Sequence, residues 1–182
     1  EGEFQGVEGI MAWAEEKGFS KRIEVLTFVD GGLSIDWMKK TGAKVQNLLT
    51  KGSLNHLTHQ LKKTPEQHFN EIAQTIALAH DNNIDTNVYL EDWSNGMRNS
   101  PEYVFQYLDF LTKQAVKRIL LPDTLGVLIP SETFNFISQI TARYPDTHFD
   151  FHAHNDYDLS VANVMEAVKA GINGLHVTVN GM

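Results

Sequence analysis

Residues His148-Phe149-Asp150-Phe151-His152-Ala153-His154 place an ionisable side chain at every second position, and here chemistry is most legible in the chain. Side chains alternate faces along a β-strand. His148, Asp150, His152 and His154 therefore share one face, and Phe149, Phe151 and Ala153 the other. A parallel strand covered on both sides normally reads as a nearly unbroken apolar run. One whole face here is polar, so its groups need partners, water or a metal ion. Two imidazoles two residues apart can each offer a nitrogen lone pair to one divalent ion. The same pair also fits two interior histidines bonded to each other.

Other positions join that strand as candidates. Asn87, Tyr89 and Glu91 fall on one face of a second strand, with Glu91 at its C-terminal end. A carboxylate there can ligate, orient a substrate or move a proton; it also fits a solvated loop acid. Thr124 follows a third strand, and its hydroxyl suits a carboxylate or an ordinary turn. Leu26, Phe28 and Leu49 close two earlier strands, as core packing or as a wall for a small aliphatic group. His56, His59, His68, His80 and His176 show no paired spacing and read as surface or capping residues, with His176 the exception, because it shares a strand face with Thr178 and Asn180 and is a weaker candidate beside Glu91.

The elements that must position these residues alternate. Helical spacing covers 7–17, 34–40, 64–80, 100–112, 131–144 and 159–169, and β-rich runs cover 23–29, 45–49, 84–90, 118–121, 148–153 and 175–179. Thr64-Pro65-Glu66-Gln67 is a capping box with proline at the first helical position, and Ser100-Pro101-Glu102 repeats its chemistry. Strands separated by helices imply a parallel sheet with right-handed crossovers. A doubly wound sheet and a barrel both satisfy that. No Gly-x-Gly-x-x-Gly or Walker A loop supports the nucleotide-binding versions. A complete TIM (β/α)8 barrel has eight strands in about 250 residues. Residues 1–182 are thus expected to form one domain, an incomplete TIM barrel with about six of eight strands and both ends missing.

Composition narrows the function classes. With 15 Lys and Arg against 23 Asp and Glu, the net charge is -8, which argues against a nucleic-acid binder. There is no cysteine, so thiolate sites and disulfides are excluded and a reducing cytoplasm is fitting. No apolar run approaches the roughly 20 residues of a membrane span. The acidic start Glu1-Gly2-Glu3-Phe4 does not resemble a signal peptide.

His152-Ala153-His154-Asn155-Asp156, followed by Ala162-Asn163, Ala167, Ala170-Gly171 and Asn180-Gly181, resembles the second signature of the isopropylmalate, homocitrate and citramalate synthase family of the DRE-TIM metallolyase superfamily. Asp123-Thr124 with Gly126 and Pro130 resembles another segment of that family, and the likeness spans essentially the whole chain. It implies a Claisen condensation of acetyl-CoA with a 2-keto acid, a divalent metal (Zn, Mn or Mg), a cytoplasmic location and a homodimeric parent. His152 and His154 match metal ligands, and Glu91 an acid near the reacting centre. Thr124 matches the residue that binds the keto acid's carboxylate. Leu26, Leu49 and Tyr89 match the lining of its side-chain pocket, and Phe28 falls on the acetyl-CoA side. Asp158 stands where the family often has glycine. The first signature, with a third ligand (Asp) and an adjacent Arg, is not in the chain, and a Gly-Glu-Arg segment is expected after Met182. The chain alone is therefore expected to be inactive. Residues 48–53 and 89–96 look most like citramalate synthases. A Leu, Leu and Tyr lining suits pyruvate's methyl, although one methylene discriminates by only about 1–3 kcal/mol. Isopropylmalate or homocitrate synthase, a hydroxymethylglutaryl-CoA lyase and a non-catalytic barrel module are the alternatives.

Overall fold

Short apolar runs rich in β-formers alternate with amphipathic stretches, and the chain folds accordingly. In the computed structural model, which describes residues 2–179, six strands form one sheet: β1 (Glu24–Phe28), β2 (Val45–Lys51), β3 (Asp85–Glu91), β4 (Val116–Asp123), β5 (Phe149–Ala153) and β6 (Gly174–His176). They lie in sequence order and every neighbouring pair is parallel. A doubly wound sheet reverses its strand order at a switch point. No reversal occurs here, so the sheet is the wall of a partial barrel.

Helices cover the outside: α1 (Gly2–Glu16), α2 (Leu33–Thr41), α3 (Leu54–His56, continuing as a π turn over Leu57–Leu61), α4 (Pro65–Asp81), α5 (Trp93–Asn99), α6 (Pro101–Leu111), α7 (Pro130–Arg143) and α8 (Ser160–Lys169). No helix among the described residues is long and apolar enough to cross a membrane. Alternation sorts the strands' two faces. Leu48, Val88, Leu90, Ile119, Leu121, Phe149 and Phe151 are buried in one apolar cluster with Ile72, Ile76, Tyr107, Leu108, Ile137 and Ile140 of the helices. Fully burying each of these large side chains stabilises the fold by about 1.5–3 kcal/mol. The opposite face carries Asn47, Asn87, Arg118, Asp150 and His152 beside apolar Leu26, Phe28, Leu49 and Leu120.

Local signals account for some helix starts. The Thr64 hydroxyl accepts from Gln67 N, and the Gln67 side chain accepts from Thr64 N, so α4 opens on a closed capping box. Ser100 makes no such cap to α6. Its hydroxyl instead bonds the Gly96 carbonyl at 3.3 Å and receives Leu54 N at 3.3 Å, joining α5 to the β2 loop. Gly32 is the N-cap of α2, and the Asp30 carboxylate accepts from Ser34 N in its first turn at 3.1 Å. Two short helices, α3 and α5, fill the loops after β2 and β3, where the sequence pattern indicates no element. β6 ends at His176, so Thr178 lies beyond the strand. Asn180, Gly181 and Met182 lie outside the described residues.

Candidate active site

Strand register arranges the inner face in rows. One row runs Leu26, Asn47, Asn87, Arg118; the next runs Phe28, Leu49, Tyr89, Leu120, Asp150 and Gly174. Nearer the C-terminal ends, Lys51 lies beside Glu91, and Pro122, His152 and His176 adjoin one another. Barrel active sites occupy that end.

A charged network fills the lower rows. Asp150 is 1% exposed. Its Oδ1 accepts from His148 Nε2 at 2.8 Å, and its Oδ2 from Arg118 Nη1 at 2.8 Å and His176 Nε2 at 3.1 Å. Burial opposes the Asp150 charge, but the His176 bond, the Arg118 guanidinium and His148 outweigh it and hold the carboxyl below its ordinary range. Arg118 also pairs with Glu24, which accepts from Asn87 Nδ2 at 3.2 Å. The Tyr89 hydroxyl meets His176 Nδ1. Burial, then the negative Asp150 and Glu24, push the Tyr89 phenol up to about 12. His176 is thus part of the inner face, and His68 is buried behind β2, so His68 is not the surface or capping residue that its sequence position suggests.

Above this network the two candidate ligands converge. His152 Nε2 and His154 Nε2 stand 3.1 Å apart. Two nitrogens bound to one divalent ion at about 2.0–2.1 Å are separated by about 2.9–3.4 Å, so the pair fits neighbouring corners of a coordination shell. Burial, then the adjacent His154 and His176, lower the His152 pKa to about 4, which keeps the imidazole neutral as a ligand must be. His152 Nδ1 is buried without a protein partner. Among the described residues no group of three or more His, Cys, Asp or Glu side chains converges. The pair therefore supplies two donors, and the rest of a metal's shell must come from elsewhere.

The other candidates ring this mouth. Glu91 pairs with Lys51, whose place at the end of β2 puts a cation, not Leu49, at that strand's tip. The Thr124 hydroxyl accepts from Asp92 N at 2.8 Å and so ties the ends of β3 and β4. Leu49 and Tyr89 are half-buried, whereas Leu26 and Phe28 are 53% and 51% exposed. Leu26 and Phe28 also border a cleft of about 310 Å³ with Phe4, Val7, Leu33 and Trp37.

Asp123 and Asp92 also shape the site, and nothing in their spacing announces it. Buried Asp123 accepts from Val127 N at 3.2 Å and Leu128 N at 3.0 Å, holding the loop after β4. Asp92 is buried at φ 65° and accepts from Ser53 Oγ at 2.7 Å and Asn95 Nδ2 at 2.8 Å. The one available hint is its place directly after Glu91 at a strand end.

A parallel sheet in sequence order, with two histidines paired at the end of β5, is the wall of a partial α/β barrel. Residues 4–182 match the family model described as HMGL-like, and the chain belongs to that family. It is 32% identical over 127 residues to a homocitrate synthase of Sulfolobus acidocaldarius, covering 70% of this chain and 26% of that protein. It is 34% identical over the same length to a homocitrate synthase of Saccharolobus islandicus, with 70% and 27% covered. The match thus spans about a quarter of the length of these curated relatives. The fold resembles the HMG-CoA lyase of Bacillus subtilis with a TM-score of 0.73 at 19% identity, over 82% of this chain and 51% of that one.

Proposed function

We propose that residues 1–182 are part of one catalytic barrel that condenses acetyl-CoA with a 2-keto acid, and that the acceptor is pyruvate, giving citramalate and CoA. The parent enzyme would be a cytoplasmic homodimer. The observation that carries this reading is the His152–His154 pair, with His152 one inner position beyond the row of Leu49, Tyr89 and Leu120 and its ring 5.9 Å from that of Tyr89. A keto acid seated there meets a polar mouth with its carbonyl and an apolar wall with its methyl.

In the balanced reaction a base takes a proton from the acetyl methyl, and that carbon bonds the keto carbon. The keto oxygen becomes a hydroxyl, and water cleaves the thioester to free the CoA thiol. A divalent ion held by His152 and His154 would supply Lewis-acid polarisation of the keto carbonyl. Glu91, paired with Lys51, orients substrate or relays the proton. Thr124 has a lone pair committed to Asp92 N, so its hydroxyl hydrogen is available to the keto acid's carboxylate. Leu26, Leu49 and Tyr89 line the side-chain pocket, and Phe28 contacts acetyl-CoA.

The names of the relatives favour a second reading, condensation with a larger, dicarboxylic keto acid. Against it, Lys51, the cation beside this wall, already serves Glu91. CoA release by the intact protein with acetyl-CoA, a divalent metal and a panel of keto acids separates the two. Preference for pyruvate, lost in His152→Ala and His154→Ala, supports the first reading. Preference for 2-oxoglutarate replaces it with the second, and no release with any acceptor removes both.

A further inference from the structure

We propose that Lys51 is a positioning residue: it fixes the Glu91 carboxylate at the mouth of the barrel wall, and His68 and Tyr103, from the helices behind β2, hold Lys51 in place to do so. This role rests on the condensation reading above, in which Glu91 orients substrate or relays the proton.

The placement of Glu91 depends on one contact. Among the described residues the Lys51 ammonium is the sole partner of its carboxylate. A glutamate side chain has several rotatable torsions, so without that partner the carboxylate would spread over several rotamers. Lys51 and Glu91 stand directly opposite in the β2–β3 register, on the inner face two residues beyond Leu49 and Tyr89. Their side chains are only 16% and 24% exposed, which sets them apart from the freely solvated pairs that hold nothing in place.

The backbone that carries the pair is fastened residue by residue. Thr50 Oγ1 donates to the Tyr89 carbonyl at 2.6 Å and accepts from the Tyr107 hydroxyl at 2.6 Å. Lys51 N donates to His68 Nε2 at 3.3 Å, and the Lys51 carbonyl accepts from the Tyr103 hydroxyl at 2.8 Å. Gly52 N donates to the carbonyl of Glu91 itself at 2.6 Å. A Cβ on Gly52 would sit 2.5 Å from the Leu90 carbonyl oxygen, so only glycine lets the two strand ends come this close. His68 and Tyr103 are both buried in a largely apolar layer, where a polar atom is costly unless it is bonded, and each directs one to the Lys51 backbone. A lysine rooted this firmly presents its ammonium to a small volume, and Glu91 is held there before any substrate arrives.

The test uses the full-length protein with acetyl-CoA, a divalent metal and the keto acid that it turns over fastest. Lys51→Met keeps the aliphatic stem and removes the cation, and kcat/KM should fall about tenfold or more. In a Glu91→Gln background the same change should alter kcat/KM by less than about twofold, because a residue that acts only through Glu91 then has nothing left to position. Lys51→Arg should recover most of the loss. Tyr103→Phe removes a rear contact and should lower kcat/KM about threefold, again only while Glu91 is present. His68→Gln, which keeps an acceptor for Lys51 N, should stay near wild type where His68→Leu does not. Crystal structures give a readout apart from activity: Glu91 should face the site in the wild type and be displaced or disordered in Lys51→Met. A carboxylate that keeps its place without Lys51 overturns the inference whatever the activity. A Lys51→Met loss of equal size with and without Glu91 overturns it as well and leaves the condensation reading standing. Wild-type protein that turns over no keto acid removes that reading, and the part of Lys51 in the reaction falls with it.

Discussion

Gly174 lies directly across the β5–β6 ladder from Asp150, and a Cβ built on it would sit 2.8 Å from the Asp150 Cγ and closer still to Oδ1. No side chain fits there unless the carboxylate moves. Asp150 cannot move cheaply, because it is buried and holds Arg118, His148 and His176 together. Gly174→Ala is therefore expected to destabilise the protein by about 2–4 kcal/mol, through overpacking and a damaged buried charge network. Urea unfolding at pH 7 measures this, and a change under about 0.5 kcal/mol, the range of ordinary surface substitutions, would contradict it.

Gly126 controls the other end of the site. It has φ 59°, and a Cβ there would lie 2.6 Å from Asp156 N and 3.0 Å from the His154 carbonyl carbon. Gly126→Ala should thus push the segment that carries His154 away from His152. The expected result is a Kd for Co(II), read from its visible absorption, raised about tenfold, which corresponds to about 1.4 kcal/mol. Gly18→Ala is the control, since Gly18 has φ 76° but open space around it. It carries only the left-handed backbone penalty of about 1–2 kcal/mol and should leave Co(II) affinity unchanged.

The contrast between these glycines and the histidine pair marks what the sequence reveals. The β5 alternation is local: Phe149 and Phe151 pack outward, while Asp150 and His152 face inward, as period 2 requires. Thr64 and Gln67 are equally legible, because a capping box closes within four residues. Gly174 and His176 are not, since their roles depend on partners 24 and 26 residues away or farther. His68 reads as a surface residue because many of its neighbours in α4 are polar, yet it faces Tyr107 and the β2 backbone. α5 is hidden because it starts from Asp92 in a left-handed conformation, which no helix pattern announces. The β2 tip lies two residues beyond the apolar run for a related reason: Lys51 belongs to the strand through its pairing with Glu91 of β3.

Thr124 offers a test that separates tethering from substrate binding. Its hydroxyl is the acceptor for Asp92 N at 2.8 Å. Thr124→Val keeps the shape but leaves that N–H without its partner, at a cost of about 1–3 kcal/mol. Thr124→Ser keeps the oxygen and should remain near wild-type stability. If the hydroxyl also donates to the keto acid's carboxylate, Thr124→Val should raise the keto acid KM about tenfold or more, while Thr124→Ser changes it little. Equal KM values for both variants would confine Thr124 to tethering β3 and β4.

His68 should make stability fall in mild acid. It is 1% exposed, and burial, with Lys63 and Lys51 outweighing the opposing Glu71, lowers its pKa to about 4. Its Nε2 accepts from Lys51 N at 3.3 Å, a contact only the unprotonated nitrogen can make. The unfolded chain takes up this proton near pH 6.5 and the folded protein near pH 4, so between these values the unfolded state binds more protons. Stability from this group is complete above about pH 6.5 and is lost progressively as pH falls to about 4. A shift of this size corresponds to about 3 kcal/mol. His68→Gln retains an acceptor for Lys51 N but has no proton to gain. Unfolding free energies from urea titrations at pH 7.0, 6.0, 5.0 and 4.5 should therefore fall less steeply in His68→Gln than in wild type, even if the variant is less stable at pH 7. Parallel pH dependences for the two proteins would show that His68 is not charged on unfolding and that its burial is relieved before the chain opens.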